Sequence, residues 1–158
     1  MAQQIKGYRE ALRELGNIDK NLQKQYKKDS KQILKPAVDA VRAAYPTGAP
    51  LSGLSRSWTD KGRKIAPWQA GQIRRSIRPA VYTRKTARTS LAIIVGSPLA
   101  TIVEFAGAKT NNLLGDNLTA QVHAVPRFAW PAFERQRDAI RTQIMLATTE
   151  MTNIINRR

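Results

Sequence analysis

The chain has 158 residues, a net charge of +16 and no cysteine. A chain of this length buries roughly 68–70% of its unfolded surface, enough for one domain over residues 1–158 with its own core. The missing cysteines exclude a disulfide framework and thiolate metal ligands, and neither an apolar signal segment at Met1–Lys6 nor a membrane-length apolar run of roughly 18 residues is present.

Ile5, Tyr8, Leu12 and Leu15 share one face of a short helix over 4–15, which Gly16 ends. Asn17 then caps a second helix running from about Ile18 to Ala44. Its apolar positions (Leu22, Tyr26, Ile33, Leu34, Ala37, Val38, Val41) recur at helical spacing, with Lys20, Lys24, Lys27, Lys28, Lys31 and Lys35 largely on the other faces. Pro36 removes a backbone donor and is expected to kink or split this helix, and Pro46 to stop it. Residues 46–71, rich in Pro and Gly, read as a long basic loop that Trp58 and Trp68 anchor to the core.

Residues 72–84 read as a strand, with Ile73, Ile77 and Val81 on one side. A connection at Lys85–Arg88 joins it to an antiparallel partner, Leu91–Val95, closed by Gly96-Ser97-Pro98. Residues 99–106 are too short an apolar run for periodicity to decide between helix and strand. A polar loop over 107–118 precedes a third strand from Thr119 to Val125. Pro131 opens a last helix whose stripe runs through Phe133, Arg137, Ile140, Ile144, Ala147, Met151 and Ile154 at alternating spacings of four and three. That stripe either lies on the sheet or pairs with the N-terminal helix or a neighbouring subunit. The expected fold is α+β: a long N-terminal helix, a small antiparallel sheet of three to four strands and a long C-terminal helix.

The charge is uneven. Ten basic side chains between residues 46 and 90 face one acidic residue, Asp60. They are Arg56, Lys61, Arg63, Lys64, Arg74, Arg75, Arg78, Arg84, Lys85 and Arg88. Exposed together, they would meet phosphates or an acidic partner by charge alone, without reading sequence. Chemistry is otherwise sparse. His123 is the sole histidine and has no nucleophile-elbow pattern to serve. Glu104, Asp116 and Glu134 have no motif spacing for paired-carboxylate catalysis. No phosphate-cradling glycine loop occurs. These features point away from an enzyme and give no cofactor or metal.

The order of elements and several local patterns resemble the tail-completion, or head–tail joining, proteins of long-tailed double-stranded DNA phages. The long helix ends at Ala44-Tyr45-Pro46-Thr47-Gly48. A Gly-x-Leu-x-x-Ser-Ile segment is matched by Gly71-Gln72-Ile73-Arg74-Arg75-Ser76-Ile77, with a weaker copy at Gly53–Ser57. A Glu-Phe-Gly motif appears as Glu104-Phe105-Ala106-Gly107, with an extra alanine. An Arg-Pro-Phe-type helix opening appears as Pro126-Arg127-Phe128-Ala129-Trp130-Pro131, with Pro and Arg exchanged.

The resemblance implies a structural neck subunit, working as a ring of six or twelve copies, with six the expectation. Its partners would be further copies of itself, portal or adaptor proteins, and tail-tube or tail-terminator proteins. It would touch genomic DNA non-specifically through the basic 46–90 stretch, without membrane contact. It would be assembled in the host cytoplasm and reside in the virion. The competing expectation, resting on charge, is a standalone non-specific nucleic-acid-binding protein. Within the motifs, Glu104 is expected to be buried and ion-paired with Arg127. Phe105, Phe128, Trp130 and Phe133 are expected to cluster beside that pair. Phe133, Ile140, Ile144, Met151 and Ile154 are expected to face a core or a neighbouring subunit.

Overall fold

The computed structural model of the chain describes residues 7–60, 62–83, 90–109 and 112–157, the side chains of Asp60 and Arg63 excepted. The fold class is α+β, with the long helices where the periodicity placed them. The elements are α1 (Tyr8–Ile18), α2 (Lys20–Ala44), a 3₁₀ turn (Ser52–Ser55), β1 (Trp58–Asp60), β2 (Arg63–Ile65), α3 (Ala70–Ser76), β3 (Ile77–Val81), β4 (Leu91–Val95), α4 (Pro98–Phe105), α5 (Leu113–Gln121), α6 (Ala129–Glu134) and α7 (Arg137–Asn156). They divide into two compact units, one from residues 1–37, 79–93 and 136–158, the other from 38–78 and 94–135.

In the first unit α1 buries Tyr8, Leu12 and Leu15, the one-face spacing of a helix. It packs on α7, which buries Ile140, Ile144 and Met151. The C-terminal stripe therefore meets the N-terminal helix rather than a sheet. Ile154 is half-buried, and Arg137 is exposed where it interrupts the stripe. Phe133 lies on α6, in the other unit, because the expected single helix from Pro131 is two helices with a break at Arg135-Gln136. Pro131 does sit in the first turn of α6, where its missing N–H costs no helical bond.

The boundary between α1 and α2 lies beyond Gly16. Helix α1 runs through that glycine to Ile18, and Asp19, not Asn17, caps α2. Asp19 Oδ1 accepts from the backbone N–H groups of Asn21 (2.7 Å) and Leu22 (3.3 Å). Gly16 serves close approach: Gln23 Nε2 donates to Leu12 O at 2.8 Å, and a Cβ on residue 16 would meet that amide nitrogen at 2.3 Å. The two helices are also joined inside. Tyr8 OH bonds Ser30 Oγ, which donates to Tyr26 O at 2.7 Å. Burial raises the Tyr8 pKa above the ordinary phenol value, an effect the Ser30 hydrogen bond partly offsets. Pro36 does not split α2, which continues to Ala44; one missing donor is tolerated where Leu34, Ala37, Val38 and Val41 are all buried around it.

In the second unit the expected loop over 46–71 carries structure. β1 and β2 pair antiparallel with Trp58 opposite Ile65 and Asp60 opposite Arg63, turning through Gly62 at φ +78°. Trp68 is an anchor as expected: it is buried, Nε1 donates to Pro46 O at 3.3 Å, and its ring lies 6.4 Å from that of Tyr45. The expected strand over 72–84 is instead α3 followed by β3. Two arginines explain the helix. Arg42 on α2 donates from Nε to Arg74 O (3.1 Å) and from Nη2 to Ile77 O (2.7 Å), closing the last turn of α3. Arg74 on α3 in turn donates to Tyr45 O at 2.9 Å, just past the end of α2.

β3 and β4 pair antiparallel, as Tyr82 N–H to Ser90 O (2.7 Å) and Gly96 N–H to Ser76 O (3.2 Å) keep one register. Their connection at 84–89 lies outside the described residues. The described strands thus form two separate two-stranded sheets rather than one small sheet. The segment 99–106 is helical, because Ser97 caps it by accepting from Ala100 N (3.3 Å) and Pro98 opens it. Helix α5 replaces the expected 107–118 loop from Leu113 onward and the expected strand as far as Gln121, and no strand forms over 119–125. Asn112 Oδ1 accepts from Gly115 N at 2.8 Å, a cap that starts a helix and makes the alternation of 119–125 incidental.

Candidate functional site

The two motif residues singled out by sequence, Glu104 and Arg127, are both buried, each 2% exposed. They sit in the second unit on α4 and just before α6. Among the described residues they do not meet as a direct ion pair. Each instead holds the backbone end of the other's helix. Glu104 Oε2 accepts from Phe128 N–H (3.0 Å), Oε1 accepts from Ala129 N–H (3.0 Å) and Trp130 N–H (3.3 Å), and Oε2 also receives Ala129 N–H (3.1 Å). These are the unbonded donors of the first turn of α6, the positive end of its dipole. Arg127 donates from Nη1 to Val103 O (2.9 Å) and from Nη2 to Ala106 O (3.0 Å), the unbonded carbonyls at the C-terminus of α4. Nη2 also reaches Gly115 O (3.1 Å) and Thr119 Oγ1 (3.0 Å), so α5 is tied in.

The expected ion pair is therefore a reciprocal latch. The physical reason is number: a carboxylate accepts several bonds and a guanidinium donates five, and the helix ends on both sides present more unmet groups than one ion pair satisfies. Burial lowers the Arg127 pKa from its ordinary value, and the charge of Glu104 opposes that shift.

Two glycines let the latch close. Gly107 turns out of α4 at φ +85°. A Cβ on Gly115 would stand 2.6 Å from Gly107 Cα, so the two backbones touch where Arg127 grips both Ala106 and Gly115. The expected aromatic cluster divides. Phe128 packs on Tyr45 (centroids 5.4 Å apart), Trp130 on Phe133 (5.8 Å), and Phe105 is 53% exposed. The Tyr45 hydroxyl is buried without a hydrogen bond of good geometry. Burial, and after it the nearby Glu104 carboxylate, raises its pKa well above the ordinary phenol value.

Of the ten basic residues in 46–90, Arg56, Lys64, Arg75 and Arg78 are exposed in the second unit. Arg74 is half-buried and holds the end of α2, so it is a structural residue. Lys61, the Arg63 side chain, Arg84, Lys85 and Arg88 lie outside what is described. Lys64 borders an open cleft of about 490 Å³ between β2, α3 and the start of α4, with Gln69 and Gln72 as polar lining and Ile73, Leu99 and Ile102 as apolar lining. His123 is exposed after α5, on no strand. Among the described residues no group of three or more His, Asp or Glu could hold a metal ion, and no helix is long and apolar enough to cross a membrane. Comparison of the chain with protein-family models, with curated proteins and with solved structures gave no match.

Arg42, Ser30 and the Tyr45–Phe128 stack have no local signal in the sequence. Their partners are 22 to 83 residues away in the chain. The caps at Ser97 and Asn112 had a signal, since each stands at the N-cap position before an apolar or mixed run.

Proposed function

We propose that this chain is a non-enzymatic structural subunit of the head–tail connector of a long-tailed double-stranded DNA phage. It completes the tail, or joins it to the portal complex, as one copy of a homo-oligomeric ring around the DNA channel. The observation that carries the reading is the latch. The residues that bear the resemblance, Glu104 and Arg127, are both buried and spend their side-chain bonds holding helix ends together. That is the work of a building block.

Two further features support it. Leu113 is 78% exposed in the second unit, and Met145 and Leu146 are exposed on α7 in the first. Large apolar side chains left in water suit faces that neighbouring copies cover. The exposed Arg56, Lys64, Arg75 and Arg78 suit a surface past which DNA moves without being read.

The test is genetic and biochemical. A phage deleted for this gene accumulates DNA-filled heads and finished tails that do not join, and mass spectrometry finds the protein in intact particles at the stoichiometry of a ring. Infectious, complete virions lacking the protein overturn the proposal, as does purified protein turning over a substrate. A protein absent from virions that still binds duplex DNA tightly near physiological salt would favour the standalone nucleic-acid-binding reading, for which the +16 charge is the support.

A further inference from the structure

We infer that α2 carries a second, separate polyanion-binding surface, a lysine stripe that grips the phosphate backbone of duplex DNA. The inference stands on the helix alone and does not depend on the connector reading. Lys20, Lys24, Lys27, Lys28, Lys31 and Lys35 all lie on α2 within the first unit. At 3.6 residues per turn their directions fall within about 100° of one another, and at 1.5 Å per residue they extend over about 22 Å. The buried positions Tyr26, Ser30, Leu34 and Ala37 belong to a face centred about a third of a turn away. Five of the six lysines are exposed, and the half-buried Lys27 donates to Gln23 Oε1 at 3.3 Å.

The stripe is dense in like charge. Six like-charge pairs stand about one helical turn apart: 20 with 24, 24 with 28, 27 with 31 and 31 with 35 at four residues, and 24 with 27 and 28 with 31 at three. Such pairs destabilise a helix, and solvated helices ordinarily intersperse carboxylates at these spacings. Asp29 is the one acidic residue between Lys20 and Lys35, and it points away from the lysines and receives Gln25 Nε2 instead. Among the described residues none of the six lysines forms an ion pair. A regular polyanion relieves this repulsion. Duplex DNA presents about one charge per 1.7 Å of axis, matching a straight row of cations better than an irregular acidic protein surface does. All six are lysines, point charges on flexible stems, which suit positioning contacts to phosphate and not base readout.

The test measures binding of the full chain to two unrelated 30-base-pair duplexes by fluorescence anisotropy across a salt series. Each neutralised phosphate contributes about −0.9 to the slope of log affinity against log salt, so K24Q/K28Q/K31Q is expected to flatten the slope by about 2.7 and to weaken binding about 500-fold at 0.1 M salt, equally for both sequences. K24R/K28R/K31R keeps the charge and is expected to keep the parent slope. Circular dichroism checks that both variants retain the parent's helix content. An unchanged slope in the glutamine variant overturns the inference. So does loss of binding in the arginine variant, which would make the lysines structural. A parent chain that binds polyglutamate but not duplex DNA overturns it as well.

Discussion

Glu104→Ala isolates the latch. The carboxylate is 2% exposed and accepts from the backbone N–H groups of Phe128, Ala129 and Trp130. Alanine leaves those donors without their acceptor, and a buried unpaired donor costs about 1–3 kcal/mol. It also takes the anion from beside buried Arg127, and removing one member of a buried charge arrangement costs about 3–5 kcal/mol. The two effects share the same groups, so the loss is about 4 kcal/mol rather than their sum. Against a domain stability of about 5–15 kcal/mol this is a large fraction. For a chain of this size it lowers the melting temperature by about 8–16 °C. Thermal melts followed by circular dichroism measure it. Glu104→Gln keeps one carbonyl acceptor without the charge and falls between parent and alanine. A Glu104→Ala protein melting within about 2 °C of the parent refutes the account of α4 and α6 as mutually capped.

Gly115→Ala places a Cβ 2.6 Å from Gly107 Cα and 2.9 Å from the Ala106 carbonyl carbon; the overpacking destabilises by about 1–3 kcal/mol and lowers the urea midpoint, and an unmoved midpoint counts against the backbone contact. Ser30→Ala strands the buried Tyr8 hydroxyl and costs about 1–3 kcal/mol, while adding Tyr8→Phe removes the stranded group, so the double variant is less destabilised than the sum of the singles. Tyr45 has a folded pKa raised above its unfolded value of about 10, so the neutral phenol's contribution is full below about pH 10 and is lost as pH rises through the folded value. Tyr45→Phe accordingly flattens the fall in stability between about pH 10 and 12, and an alkaline limb identical to the parent's argues that the hydroxyl is not held neutral by the fold.

The elements legible in the sequence are those whose signal is periodic and long. Tyr8, Leu12 and Leu15 marked α1, Leu34 to Val41 marked α2, and Ile140, Ile144 and Met151 marked α7, because burial on one face repeats over several turns. The β4 strand is legible from Leu91–Val95 because an aliphatic run closed by Gly96-Ser97-Pro98 has few other uses. The short elements were not. Ile73, Ile77 and Val81 fit a strand on paper, yet Arg42 arriving from α2 satisfies the carbonyls that let 70–76 close as a helix. Alternation in Thr119–Val125 suggested a strand, but the cap at Asn112 had already set a helix going. In the latch the identities and burial of Glu104 and Arg127 were foreseeable, whereas their partners are backbone atoms, which no side-chain pattern encodes.

The reciprocal capping of α4 and α6 has a dynamic consequence. These helices have eight and six residues, well under the roughly 12–15 at which an isolated helix becomes marginally stable in water. Neither end is free to fray, since loosening the last turn of one means withdrawing the clasp on the first turn of the other. The amides of Phe128, Ala129 and Trp130 should therefore trade hydrogen for deuterium only when the whole junction opens, all three at one shared rate far slower than is usual at a helix terminus.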